Sequence, residues 1–360
     1  MPVNILVDAR TWKPGGAGKS RYVSELLPAL MAMAPADRFV LLVSPGFSAP
    51  LSGNARAVEV RRAPLLDLPR LATQAAADVF FSPTSYLLPV RLPMPTVVVV
   101  HDLAVWREPR ARPALKTALL ERMALRPALS RAAAVIAVSE STGRDVVALL
   151  PRVADKLTVI QSGVPAAVAP RPGAVKALGL ESGFILFVGT LEPRKNLESL
   201  IEAFAGLPPE MRARAPLVLA GRRGWRMQHL DRLKEQSGAA AHIRELGFVQ
   251  DEVLAALYEQ AGMVVCPSWY EGFDFPALEA MQHGAPVIAS NTSSHPEVIG
   301  DAGSLVEPGD VASLTRRMAE VLSDPVARAR MIAAGRARAR EFAWPRAASA
   351  TLAVLRRVAR

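Results

Sequence analysis

Pro267-Ser268-Trp269-Tyr270-Glu271-Gly272-Phe273-Asp274-Phe275-Pro276-Ala277-Leu278-Glu279-Ala280 follows an apolar run, Gly262-Met263-Val264-Val265-Cys266. That run is short and unbroken, and reads as a buried strand of a parallel sheet. Pro276 suits the first turn of a helix, where its missing N–H costs nothing. A strand, a polar loop and a helix start therefore meet here, and such a junction gathers backbone N–H groups and a positive helix end able to receive an anion. Glu271 lies in the loop and Glu279 about one turn into the helix. Two carboxylates at one strand end are suited to the hydroxyls of a sugar or ribose.

Outward from this junction the same alternation repeats. Strand-like runs at Phe184 to Gly189, Pro216 to Ala220, His242 to Leu246 and Val287 to Ala289 are separated by helical stretches, the mark of an open parallel α/β sheet. The first ends in Gly189-Thr190-Leu191-Glu192-Pro193-Arg194-Lys195-Asn196. Arg and Lys side by side at a strand end can clamp a diphosphate, Arg through paired hydrogen bonds and Lys as a compact charge. A solvated loop is the bland reading, and the shared sheet edge with Glu271 favours ligand contact. Gly221-Arg222-Arg223-Gly224-Trp225 is either a further cationic or stacking element or a simple turn.

The first half shows the same pattern at Asn4 to Asp8, Phe39 to Val43, Val79 to Ser82, Thr96 to Val100 and Ala134 to Val138. Pro14-Gly15-Gly16-Ala17-Gly18-Lys19-Ser20 follows the first strand, as a structural turn or as a loop that lets backbone approach a ligand. Gly18-Lys19-Ser20 is not a P-loop, because Lys13 stands where the first glycine of that motif belongs. His101-Asp102 ends one strand, where ligands of such sheets gather. Ser139-Glu140-Ser141 ends the next and is placed to cap a helix. Prolines and glycines crowd Gly163 to Gly173, which marks the junction between a domain of residues 1–166 and one of residues 170–344. Two such domains in series leave a cleft between them.

Half of the 360 residues are apolar and none of the apolar runs reaches membrane-spanning length. With no signal peptide at its start, the chain is expected in the cytoplasm. The single Cys266 excludes an internal disulfide and a cysteine-based zinc site, and reads as core filler. The net charge of +10 is uneven: residues 1–166 carry 20 Lys and Arg against 12 Asp and Glu. Nucleic-acid signatures are missing, so an anionic membrane surface is the expected partner of this basic half, and nucleic acid is not. Arg107 to Arg131 holds seven basic residues and two acidic ones. A helix starting near Pro113 puts Leu115, Leu119, Met123, Lys116, Arg122 and Arg126 in one sector, with Ala114, Ala118, Leu125 and Ala128 opposite. Such a face rests on a bilayer, or its leucines meet other protein.

Taken together, these motifs resemble the retaining glycosyltransferases of family 4, in particular bacterial mannosyltransferase-like members that build surface polysaccharide. The resemblance covers nearly the whole chain. It is carried by Gly15-Gly16-Ala17-Gly18, Val100-His101-Asp102-Leu103, Val138-Ser139-Glu140-Ser141, Val188 to Asn196, Glu271-Gly272-Phe273 with Pro276 and Glu279-Ala280, and Ser290-Asn291 through Ser294-His295-Pro296-Glu297-Val298. It implies the GT-B fold, two Rossmann-like domains facing across a cleft, with the helix within residues 345–360 packed back on the first. It implies that Arg194 or Lys195 binds the donor diphosphate, Glu279 the ribose, and Glu271 the donor sugar. Phe273, Asp274 and Phe275 would offer backbone N–H groups, His101 would reach the reaction centre, and Gly16 would let its loop approach phosphates and acceptor.

Two residues depart from the family pattern. Thr190 stands where many relatives have an arginine, a charge that Arg194 would supply. Asp274 stands where glycine is common, and its carboxylate either accepts a sugar hydroxyl or points away. The resemblance implies hexosyl transfer with retention from a nucleotide sugar, GDP-mannose first, to a saccharide or lipid-linked saccharide at the inner membrane face. Neither metal nor other cofactor is expected: the chain has no Asp-x-Asp, and two cations can carry the diphosphate charge. A nucleotide-sugar epimerase and a non-catalytic sugar-nucleotide-binding subunit are the rival readings. A glycogen-type phosphorylase would need a pyridoxal lysine and a much longer chain.

Overall fold

The computed structural model describes residues 2–13, 16, 18–60, 64–84, 92–111, 115–225 and 227–359, with backbone alone at residues 64–67, 111, 115–118, 120 and 228. Pro14, Gly15, Ala17, Pro113, Ala114 and the side chains of Leu115, Lys116 and Ala118 lie outside the described residues.

Two sheets form, and every neighbouring pair of strands is parallel. The first contains β1 (Asn4–Asp8), β2 (Arg38–Val43), β3 (Ala55–Glu59), β4 (Val79–Ser82), β5 (Thr96–Val100), β6 (Ala134–Ala137) and β7 (Leu157–Val159), in the order β3-β2-β1-β4-β5-β6-β7. The second contains β8 (Ile185–Val188), β9 (Leu217–Ala220), β10 (Ile243–Gly247), β11 (Met263–Cys266), β12 (Val287–Ser290) and β13 (Ser304–Val306), in the order β10-β9-β8-β11-β12-β13. Each sheet has the α/β, doubly wound architecture of a Rossmann-like domain. Strand order reverses between β1 and β4 and again between β8 and β11, the switch points outside which ligands of such sheets gather.

Central strands are apolar along their whole length because helices cover both faces of a parallel sheet. Ile5, Leu6 and Val7 of β1 and Leu217, Val218 and Leu219 of β9 are fully buried. The sequence patterns do not single out β3, β7 and β13, all of which lie at sheet edges. An edge strand has no second neighbour and needs no unbroken apolar run. β3, Ala-Arg-Ala-Val-Glu, is largely exposed, and β7 and β13 are three residues each.

The helices that support the strand ends and close the first unit are α1 (Lys19–Met33), α2 (Leu115–Arg131), α3 (Glu140–Leu149), α4 (Leu197–Ala205), α5 (Phe275–His283), α6 (His295–Ile299) and α7 (Trp344–Val358). Contacts divide the chain into two compact units: Met1–Arg107, Pro113–Pro165 and Phe342–Arg360, and Glu108–Arg112 with Ala166–Glu341. The chain therefore returns to its first unit at the end. There α7 packs along α1, and the Val164 N–H donates to the Phe342 carbonyl at 2.9 Å. Trp344 lies so close to Gly163 that a Cβ there would stand 2.4 Å from the Trp344 nitrogen and 2.6 Å from its Cγ. Arg356 of α7 pairs at 2.9 Å with Asp37, whose other oxygen accepts from the Val3 N–H at 2.9 Å. In α2, Leu125 and Ala128 are buried beside Val98 and Val100, while Leu119 and Met123 are 55 % and 65 % exposed. No helix among the described residues is long and apolar enough to cross a membrane.

Candidate active site

In the second unit the carboxyl ends of β8, β9 and β10 come together on glycines. Gly189 donates to the Ala220 carbonyl and Gly221 to that of Gly247. A Cβ on Gly221 would lie 1.8 Å from the Gly189 oxygen, and its φ is +153°. No other residue fits there.

Beyond Gly189 the chain forms a 3-10 turn, Pro193–Lys195. It is stitched to the loop after β11: the Asn196 side chain donates to the Pro267 carbonyl at 3.0 Å, and the Trp269 N–H to the Arg194 carbonyl at 2.9 Å. Arg194 and Lys195 thereby converge on Glu271. One carboxylate oxygen accepts from Lys195 Nζ at 2.6 Å and the other from Arg194 Nη1 at 2.7 Å. Arg194 also donates to the Tyr270 carbonyl at 2.6 Å and, through Nη2, to Glu192 at 2.8 Å. Glu192, Lys195 and Glu271 are all buried.

The electrostatics follow from burial and pairing. Burial alone would push the Glu271 carboxyl up, but the charges of Arg194, Lys195 and His295 outweigh it and hold it well below the ordinary carboxylate range. Burial, and then the Arg194 charge, oppose the Lys195 charge, and Glu271 together with Asp274 outweighs them, so the ammonium is held above its ordinary value. A preassembled, desolvated pair of cations with an internal counterion is suited to an incoming polyanion.

Glu279, in α5, is buried and accepts from the Tyr258 hydroxyl at 3.0 Å. Asp274 is the residue before α5, with φ 77° and ψ 72°. Its carboxylate is turned into the protein, 2.8 Å from Nε2 of His295. Phe273 is buried and meets Phe275 edge to face at 5.5 Å. Thr190 is exposed. Cys266 is buried as core, and burial beside the Asp274 charge raises its thiol well above the ordinary range.

Two contacts at these strand ends escape the sequence patterns. Arg222 lies 4.8 Å over the ring of Phe248, which is 52 % exposed, whereas Arg223 is tied to Asp231 and Glu245. Arg110 lies 4.2 Å over Trp269. An exposed aromatic after a strand was the available signal for Phe248. Among the described residues no group of three or more His, Cys, Asp or Glu is arranged to hold a metal ion.

The first unit carries its own cluster. His101 follows β5, and its Nε2 lies 2.7 Å from the Pro83 carbonyl. A carbonyl only accepts, so Nε2 bears the hydrogen. The rings of Tyr22, from α1, and His101 stand perpendicular with their centroids 4.7 Å apart. Burial and then the Lys19 charge push the imidazole down to about 4, against the pull of Pro83 and Asp102, so His101 is neutral at physiological pH. Ser139 caps α3 by accepting from the Thr142 N–H at 3.0 Å. Gly16 lies in the turn before α1, its N–H bonded to the Lys13 carbonyl at 3.0 Å.

Residues 18–168 match the family model described as Glycosyltransferase Family 4, and residues 174–338 the model described as Glycosyl transferases group 1. The chain is 35 % identical over 281 residues to O-antigen chain mannosyltransferase B of Escherichia coli, covering 76 % of this chain and 73 % of that one. It is 33 % identical over 269 residues to the serotype-specific mannosyltransferase WbdA of Escherichia coli, covering 70 % of this chain and 32 % of that longer protein. Among solved structures, sucrose-phosphate synthase from Thermosynechococcus elongatus matches 98 % of both chains with a TM-score of 0.80 at 21 % identity. Anabaena Alr3699/HepE in complex with UDP and glucose matches 99 % of this chain and 100 % of its own with a TM-score of 0.75 at 22 % identity. At these identities the structural likenesses speak to the fold alone.

Proposed function

Because the chain belongs to the family 4 glycosyltransferases, we propose that it transfers mannose from GDP-mannose, with retention, to a saccharide or lipid-linked saccharide acceptor of surface polysaccharide synthesis. The choice of sugar and product is supported by the mannosyltransferase relatives, which include an O-antigen enzyme. The observation that carries the chemistry is the convergence of Arg194, Lys195 and Glu271 at the switch point between β8 and β11.

In this reading Arg194 and Lys195 take the donor diphosphate, Glu271 turns a carboxylate oxygen toward the sugar, and Glu279, steadied by Tyr258, takes the ribose. Backbone N–H groups of Phe273 to Phe275 add to the positive end of α5. The bond from the anomeric carbon to the diphosphate oxygen breaks as the acceptor oxygen bonds to the same face. The acceptor proton passes to the leaving phosphate oxygen. The protein supplies positioning and stabilisation of the developing diphosphate charge. Neutral His101 orients a hydroxyl, and no protein base is called for because the leaving phosphate takes the proton. Two fixed cations do what a divalent ion would do, so transfer is expected to survive a chelator. Exposed Leu119 and Met123, beside Arg122 and Arg126 of α2, would meet the anionic bilayer that carries a lipid-linked acceptor.

The test is thermal shift with GDP-mannose, UDP-glucose, UDP-N-acetylglucosamine and dTDP-rhamnose, followed by NMR of the product's anomeric centre. A shift with GDP-mannose and an α-mannosyl product support the proposal. Conversion of the nucleotide sugar without acceptor would identify an epimerase, and binding without any turnover a non-catalytic subunit.

A further inference from the structure

Asp274 occupies a left-handed backbone position, which glycine adopts freely and Asp or Asn more readily than other residues. At a helix start its carboxylate would ordinarily fold over the next N–H groups. Here it makes no such bond, and Pro276 in the first turn has removed one of the donors. The side chain is instead 2 % exposed and faces His295, whose side chain is fully buried. The His295 ring has acceptors on both sides: the Asp274 carboxylate 2.8 Å from Nε2, and the Ser290 carbonyl 3.0 Å from Nδ1. A neutral imidazole has one N–H and a lone pair, and that lone pair would face an oxygen lone pair. Two N–H groups satisfy both acceptors.

Cys266 of β11 hydrogen-bonds Asp274, and Lys195 feels its charge from the β8 loop. His295 in turn acts on Glu271, which also faces Arg194, with Glu192 behind Arg194. Counted with a charged His295, this cluster has three cations and three anions. The two residues before His295 complete the contact. Ser293 Oγ accepts from the Glu271 N–H at 2.8 Å, and Ser294 Oγ donates to the Glu271 carbonyl at 3.2 Å. Three successive residues at the start of α6 therefore hold both backbone groups of Glu271 and the side chain three residues after it.

We infer that Asp274 and a doubly protonated His295 form a buried latch that positions Glu271, so that the Asp274 carboxylate influences the donor sugar through Glu271 and never touches it. In its functional part this rests on the transferase reading. Asp274 and His295 are positioning residues: the pair fixes the turn on which the Glu271 carboxylate and the N-terminus of α5 are mounted.

Asn at position 274 keeps the shape and tolerates the left-handed backbone, and its amide can donate to Nε2 of a neutral ring. Asp274→Gly suits the backbone but removes the partner of His295 Nε2 and leaves only the Ser290 carbonyl at Nδ1. The experiment is ¹⁵N NMR of the histidine rings at neutral pH, with GDP-mannose KM and kcat, for wild type, Asp274→Asn and Asp274→Gly. Expected are two protonated nitrogens for His295 in the wild type and one in Asp274→Asn. Donor KM should stay within about threefold of wild type in Asp274→Asn and rise at least about tenfold in Asp274→Gly, with kcat changing less. A singly protonated His295 in the wild type would overturn the latch. A kcat collapse in Asp274→Asn would overturn it too, since that is what direct contact between carboxylate and sugar predicts. The ring spectra need no substrate, so a chain that turned over no donor would sink the transferase reading while the spectra still decided the latch.

Discussion

Lys195→Met keeps the length of the side chain and removes one charge from the cluster around Glu271. Lys195 is 8 % exposed and its Nζ is 2.6 Å from the carboxylate. Removing one partner of a buried pair costs about 3–5 kcal/mol. Glu271 keeps Arg194 at 2.7 Å, so the lower figure applies, and a unit of this size should melt about 6–12 °C lower. The donor loses a charge-assisted hydrogen bond of about 1.5–3 kcal/mol, a roughly 10- to 150-fold weaker Kd for GDP. The pH signs are separate. Glu271 is held below its ordinary 4.5, so its stabilisation is present above that pH and fades as pH falls through the lower folded value. Lys195 is held above 10.5, so its share is present below that pH and lost as pH rises past the higher folded value. The variant should therefore lose the alkaline decline and keep the acid one. Scanning calorimetry across pH and titration calorimetry with GDP measure the two effects. A lower Tm with GDP affinity within threefold of wild type would refute the diphosphate role and leave Lys195 a structural cation.

His101, at about 4 in the folded chain against 6.5 unfolded, makes stability full above pH 6.5 and declining toward pH 4. For a half-buried ring the loss is about 2 kcal/mol, and His101→Gln should abolish it in urea melts at pH 7 and pH 4.5. Gly163→Ala would drive a Cβ into the backbone of Trp344, costing at least about 2 kcal/mol and speeding proteolytic cleavage just ahead of Phe342. Leu119→Glu with Met123→Glu should abolish salt-sensitive cosedimentation with phosphatidylglycerol vesicles, and failure of the wild type to sediment would remove the membrane expectation.

The central strands were legible because burial on both faces demands unbroken apolar runs such as Thr96 to Val100. Edge strand β3 was not, because Arg56 and Glu59 in its Ala-Arg-Ala-Val-Glu face solvent. At the site, Arg194, Lys195, Glu271 and Glu279 could be named from their strand-end positions. Their mutual pairing could not, since it depends on how two loops about 70 residues apart are stitched by Asn196 and Trp269. The partner of Asp274 was hidden for the same reason. His295 stood within a recognised motif, but nothing local to either residue says that their side chains meet.

The return of α7 to the first unit separates the order of synthesis from the order of completion. The second unit is one continuous run, residues 166–341, plus the earlier Glu108–Arg112, and can fold as soon as that run leaves the ribosome. The first unit is made earlier yet stays unfinished: α1 has Tyr22, Leu26 and Leu30 on its buried face, and Trp344 meets Tyr22 only after residues 166–341 have been translated. A nascent chain stalled before Phe342 would thus carry a finished later half and a sticky earlier one, and chaperone capture should concentrate on the N-terminal portion.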